Sequence, residues 1–168
     1  MADIFISFIH EEVDVADGVR DFLGKKLADN TKVFLSADKW TVLAGEDWLK
    51  RVKNELTSAR IVVLILSEDS VKRPWVNFGA GAGWISEDKI LIPTCFGGLH
   101  KGAMPKPYSD LDGVSLEDHS DLYYLVTSIY QYLQPRMIAP PPFGPTDPAV
   151  VELLRIVKAF EEKTKTAN

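Results

Sequence analysis

The stretch that most constrains the fold is Ile61 to Leu66, an unbroken apolar run rich in β-branched residues and bounded by Arg60 and Ser67. A short continuous run of this kind reads as a strand buried on both faces rather than a half-wet antiparallel strand. Such a strand needs helices on both sides. Directly after it, Ser67-Glu68-Asp69-Ser70 is a set of capping residues that ends the strand and starts a helix, expected from about Ser70 to Ser86 with Pro74 in its first turn. In open α/β sheets the crevice beyond the carboxyl ends of the strands holds the ligand. The chemistry is therefore expected near Ser67, Ser70, Trp75 and the glycines that follow.

The flanks repeat the pattern. Asp3–Phe8 reads as a first strand, followed by a helix with Val15, Val19, Phe22, Leu23 and Leu27 at helical spacing, then a second strand at Lys32–Leu35. Ser36–Gly45 is a loop long enough to be functional. Trp48, Leu49, Val52 and Leu56 predict the buried stripe of the next helix. After the central strand and its helix come a fourth strand at Lys89–Pro93, a glycine- and proline-punctuated loop, and a weak edge strand at Gly113–Leu116. A helix at Asp118–Leu133 follows. Residues 135–148 are proline-rich and extended, and a last helix begins at Pro148, capped by Asp147. Five strands alternating with helices predict an α/β three-layer flavodoxin-like sandwich, with a five-stranded parallel sheet of order 2-1-3-4-5. The chain divides into residues 1–134, one domain, and 135–168, an extension and helix that either packs on the domain or leads out of it.

Composition excludes several classes. The 168 residues carry a formal net charge of −5, with no clustered basic excess, so no direct nucleic-acid contact is expected. The lone cysteine, Cys95, excludes an internal disulfide and sits in an apolar run, as a small core residue does. The N-terminus has no basic region and no stretch reaches transmembrane length, so the protein is expected to be cytoplasmic with no membrane contact. No glycine-rich phosphate loop follows the first strand. The run Gly79-Ala-Gly-Ala-Gly83 lies in a helix, where close packing on the sheet explains it. His10, His100 and His119 are scattered, so no metal site is expected. What remains is a rim of polar and aromatic groups at the strand ends: Ser7 and His10, then Ser36, Asp38 and Trp40, then Ser67, Ser70 and Trp75. Tryptophans there are suited to stacking on a base or nicotinamide ring. Trp48, Trp75 and Trp84 read equally as helix core residues, the reading favoured for Trp48 and Trp84.

These residues resemble a known family, the Toll/interleukin-1 receptor (TIR) domain in its bacterial form. The opening DIFISFIHEE looks like the family's first motif, a strand ending in serine plus an aromatic residue, then histidine and acidic residues. Asp38 to Trp48 is similar to the BB loop, which closes on Gly-Glu-x-Trp. Ile61–Leu66 with Ser67-Glu-Asp-Ser70 and Arg73-Pro-Trp75 resembles the strand and helix that carry the catalytic Ser…Trp-x-x-x-Glu motif. Ile92-Pro93 and Pro107-Tyr108-Ser109-Asp110-Leu111 also match, so the likeness covers roughly Asp3 to Leu133.

The resemblance implies cleavage of the nicotinamide–ribose bond of NAD, to ADP-ribose or a cyclic or conjugated form, in antiphage immune signalling. NAD enters as substrate or ligand, with no separate cofactor. The implied pocket is lined by Ser7, Phe8, Ile9, His10, Ser36, Asp38, Trp40 and Trp75, with Ser70 and Trp75 beside the catalytic position. Assembly with other TIR domains is implied through the BB loop: Trp40, Val42, Leu43, Ala44 and Gly45. The family's glutamate stands four residues after the tryptophan, and here that position is Gly79. Glu11, Glu12, Glu46 and Glu87 are the other carboxylates in question, none at the motif's spacing. Activity is therefore expected to be weak or absent, and the alternative is a non-catalytic module that works by self-assembly.

Overall fold

The computed structural model describes residues 1–36, 47–133 and 139–167. Five parallel strands form one sheet in the order β2-β1-β3-β4-β5. They are β1 (Ile4–Ser7), β2 (Val33–Leu35), β3 (Ile61–Leu66), β4 (Ile90–Cys95) and β5 (Val114–Ser115), and the helices are α1 (Val13–Lys26), α2 (Trp48–Ser58), α3 (Pro74–Ile85), α4 (His119–Leu133) and α5 (Pro148–Thr166). The expected architecture and strand order hold.

The apolar run sits where its composition requires. β3 pairs with β1 from Ile4↔Ile61 to Ser7↔Leu64 and with β4 from Ile61↔Ile90 to Leu66↔Cys95. All six of its residues are fully buried. Because side chains alternate along a strand, Ile61, Val63 and Ile65 join one core with α1, α4 and α5. Val62, Leu64 and Leu66 join the other with α2 and α3.

Several details differ from expectation. The helix read from Ser70 begins there only as a single 3₁₀ turn, Ser70–Lys72, and the α-helix starts at Pro74. Pro74 disfavours the helical region for the residue before it, and Arg73 is extended at φ −88°, ψ 130°. β4 runs past Pro93 to Cys95. Its Ile90 amide donates to Arg60 O and its Phe96 neighbour donates to Leu66 O, so even-numbered amides face β3. The amide missing at Pro93 would face β5, which pairs only at Thr94 and Cys95, so no ladder bond is lost. The stripe of α2 is Val52 and Leu56 with Trp48 packed alongside; Leu49 is 55% exposed, not buried. Trp84, expected in the core, is 48% exposed.

The last helix packs on the domain. Ala149, Val150, Leu153 and Val157 belong to the core shared with α1 and α4. Asp147 caps α5 through the Ala149 amide and pairs with Lys26 of α1 at 2.5 Å. The Lys26 ammonium also lies over the Phe143 ring, which makes edge contacts with Phe22 and Tyr123.

Candidate functional site

The ends of β1 and β2 and the first half of α3 meet over one spot. Ser7, the last residue of β1, is buried, and its hydroxyl has no hydrogen-bond partner among the described residues. Directly above it α3 passes at Gly79. A Cβ built there would stand 2.8 Å from Ser7 Oγ and 3.4 Å from Ser7 Cβ. Gly83, one turn on, makes the same close approach to Leu91, whereas Gly81 faces open space. The glycine run is thus a packing feature at positions 79 and 83, as expected, and it also leaves Ser7 facing a bare backbone. Ser36, at the end of β2, is fully buried; its hydroxyl accepts from the Phe8 amide at 3.4 Å and its own amide donates to Ile6 O. Those bonds tie the two strand ends together.

Trp75 stands one helical turn before Gly79. It is half-buried and stacked between Trp48 of α2, with ring centroids 5.1 Å apart, and Phe78, at 5.9 Å. Phe78 is 58% exposed. Phe8 and Ile9 are buried, while His10 is exposed on the 3₁₀ turn that precedes α1. Asp38, Trp40, Val42, Leu43, Ala44, Gly45 and Glu46 lie outside the described residues.

Ser70 belongs to a different arrangement. It is fully buried, its hydroxyl accepts from the Ser67 amide at 2.7 Å and donates to Ile65 O at 3.2 Å, and so it holds the turn after β3. The Ser67 hydroxyl accepts from the amides of Asp69 and Ser70 and donates to Glu12 Oε1.

Glu12 is the residue whose role the sequence hid. It is 1% exposed, and its Oε2 has no hydrogen-bond partner among the described residues. Burial pushes its carboxyl from the ordinary 4.5 up to about 7, against the Ser67 hydroxyl bond, which favours the charged form. Its neighbour Glu11 is exposed, paired with Arg73 at 2.8 Å, and held below the usual range by backbone hydrogen bonding and then by that guanidinium. Two adjacent glutamates after a strand give no sequence signal of which one turns inward. Glu87 is exposed in the turn after α3.

The raised Glu12 pKa has a stability consequence. The folded state keeps a proton that the unfolded chain surrenders near pH 4.5, so this contribution is fully present below that value. It is lost as pH rises through about 7, by at most about 3 kcal/mol. Denaturant titrations at about pH 5 and about pH 9 are expected to show Glu12→Gln shrinking the loss of stability between the two pH values; an unchanged difference sinks this account.

A parallel sheet of order 2-1-3-4-5 covered by helices on both faces defines a flavodoxin-like α/β fold. The chain belongs to the TIR domain family, whose model matches residues 4–124. No curated protein matches it. Among solved structures it is similar to a metazoan TIR-STING receptor from C. gigas, solved in complex with 2′,3′-cGAMP. The identity is 21%, the TM-score 0.56, and the match covers 84% of this chain and 41% of that one. The likeness supports the fold, and this chain spans less than half of that receptor. No helix among the described residues is long and apolar enough to cross a membrane.

Proposed function

We propose that this TIR domain is the nucleotide-binding module of a bacterial antiphage-type signalling protein acting in the cytoplasm, related to NAD-cleaving TIR enzymes, with cleavage weak or absent because Gly79 replaces the catalytic glutamate. The observation that carries this reading is the buried Ser7 hydroxyl, without a hydrogen-bond partner among the described residues, facing bare Gly79 one turn from the stacked Trp75. A glutamate side chain beside C1′ of the nicotinamide ribose would orient the ribose hydroxyls and stabilise an oxocarbenium-like transition state. Glycine supplies neither charge nor hydrogen bond. The rest of the pocket, Ser7, Phe8, Ile9, His10, Ser36, Asp38 and Trp40, would hold NAD, with Trp75 available for ring stacking.

The Trp75–Trp48 stack makes binding observable. Titration with NAD is expected to change tryptophan fluorescence saturably, and the change is expected to be lost in Trp75→Ala. Unchanged fluorescence together with no calorimetric binding at millimolar NAD overturns this reading.

A second reading, a non-catalytic module that self-assembles, is favoured by a specific feature. Phe78, stacked on Trp75, and Leu49, next to Trp48 in the chain, are both more than half exposed, and Trp48 follows closely on the segment that holds Val42, Leu43 and Ala44. Apolar surface in that position is suited to burial against another copy.

A further inference from the structure

A cleft of about 680 Å³ opens beyond the carboxyl ends of β1, β3 and β4, and neither Ser7 nor Gly79 lines it. Carboxyl groups reach its walls from four parts of the chain: Glu12 before α1, Glu68 and Asp69 after β3, Glu117 before α4, and Glu161 on α5. Backbone forms part of the remaining wall at Gly97 and Gly98, whose φ of 62° and 88° few side chains would permit. On two different elements, Glu12 Oε2 and Glu161 Oε1 are both buried with no hydrogen-bond partner among the described residues while the carboxyls are ionised; the Glu161 carboxyl bonds Glu117 only when one of that pair holds a proton. Buried carboxylate oxygens are ordinarily satisfied, because leaving one unmade costs more than an ordinary hydrogen bond returns.

We propose that this cleft binds a small organic cation carrying at least two ammonium or guanidinium groups, whose N–H donors reach Glu12 Oε2 and Glu161 Oε1. Once the Glu12, Glu117 and Glu161 carboxyls are ionised, both oxygens are acceptors only, so the partner that fits them is a donor. The wall is anionic on balance: of its lysine and arginine cations, Arg73 is already paired with Glu11, which leaves Lys165. Phosphate-bearing ligands are repelled by such a wall, so the cleft selects a different ligand from the proposed nucleotide pocket, with which it shares Ile9. A bare metal ion is a poorer fit, since no group of three or more His, Cys, Asp or Glu among the described residues is placed to hold one.

Binding is linked to pH. Glu12 faces Ser67, Ser70 and Asp69 from the turn after β3, with Glu11 on its own turn. Across the cleft stand Glu68, His100, Glu117, Glu161 and Lys165. Glu117 is lifted to about 7, first by the hydrogen bond that Glu161 makes to its protonated form. A bound cation favours the ionised form of both carboxyls, so binding releases protons near pH 6 and little near pH 9, and affinity rises between the two. Because α5 supplies Glu161, the same ligand would fasten that helix to the sheet.

The probes are spermidine and putrescine, titrated calorimetrically into the full chain at low salt and about pH 8, with magnesium chloride as the control for non-specific charge. We expect one saturable site for spermidine, weakened about tenfold or more by Glu12→Gln and by Glu161→Gln but unchanged by Glu87→Gln on the exposed turn. The amide oxygen of Glu12→Gln keeps an acceptor for Ser67, and Glu161→Gln tests the cleft from α5 should the first variant fold poorly. No binding by either amine, or binding matched by magnesium or indifferent to both substitutions, overturns the proposal.

Discussion

Gly79→Glu is expected to switch on nicotinamide release from NAD, at a rate at least about 10²–10³ times that of the protein as it stands. The position is on the same helical face as Trp75, four residues on, and points at the end of β1. The new Cβ requires Ser7 Oγ to move, since it would otherwise stand only 2.8 Å away. That movement breaks no hydrogen bond, because the hydroxyl makes none among the described residues, and the new carboxylate offers it an acceptor. The helix itself gains, glutamate being preferable to glycine in a helix interior by up to about 1 kcal/mol. Gly79→Gln, of the same shape without the charge, is expected to stay silent, and adding Ser7→Ala to Gly79→Glu separates relief of the contact from the effect of charge. The assay measures nicotinamide release under crowding that favours assembly. Equal release by the protein and its Gly79→Glu form means that another carboxylate carries the chemistry. Silence in both, with NAD still bound, leaves the self-assembling scaffold as the function.

The second large effect concerns that scaffold. Leu43→Asp in the loop and Phe78→Asp on α3 are each expected to abolish concentration-dependent assembly, measured by light scattering or sedimentation, while the fold persists. Phe78 is 58% exposed, so placing a charge there costs the monomer mainly its stacking on Trp75, about 1 kcal/mol, whereas burying that charge against a second copy without a partner costs several kcal/mol. Loss of assembly in Phe78→Asp with thermal stability intact marks the aromatic face of α3 as an interface. A chain that stays monomeric at high concentration, before any substitution, removes the reading altogether.

Much of the fold was legible because it rests on periodicity. The run Ile61–Leu66 could be satisfied only by a strand covered on both faces, and the alternation of short apolar runs with helical stripes led directly to the parallel sheet. Motif spacing likewise located Gly79 relative to Trp75, and the family model over residues 4–124 agrees with the resemblance those motifs carried. The misreadings were of side-chain environment. Leu49 and Trp84 are apolar residues on helices, but the helix faces that meet the sheet are those of Val52 and Leu56 and of Val76, Gly79, Ala80 and Gly83. Apolar character alone does not set that angle.

Residue type and spacing along the chain were enough to place the strands and helices and to predict that the strands run parallel, since each of these follows from a local apolar pattern. The folded chain alone reveals which of two adjacent glutamates is buried, that Ser7 has no hydrogen-bond partner among the described residues beneath Gly79, and that α5 returns to bring Glu161 to the wall of a cleft. Each of those depends on two segments far apart in sequence coming within a few ångströms of each other, and on the desolvation that follows, which no local pattern encodes.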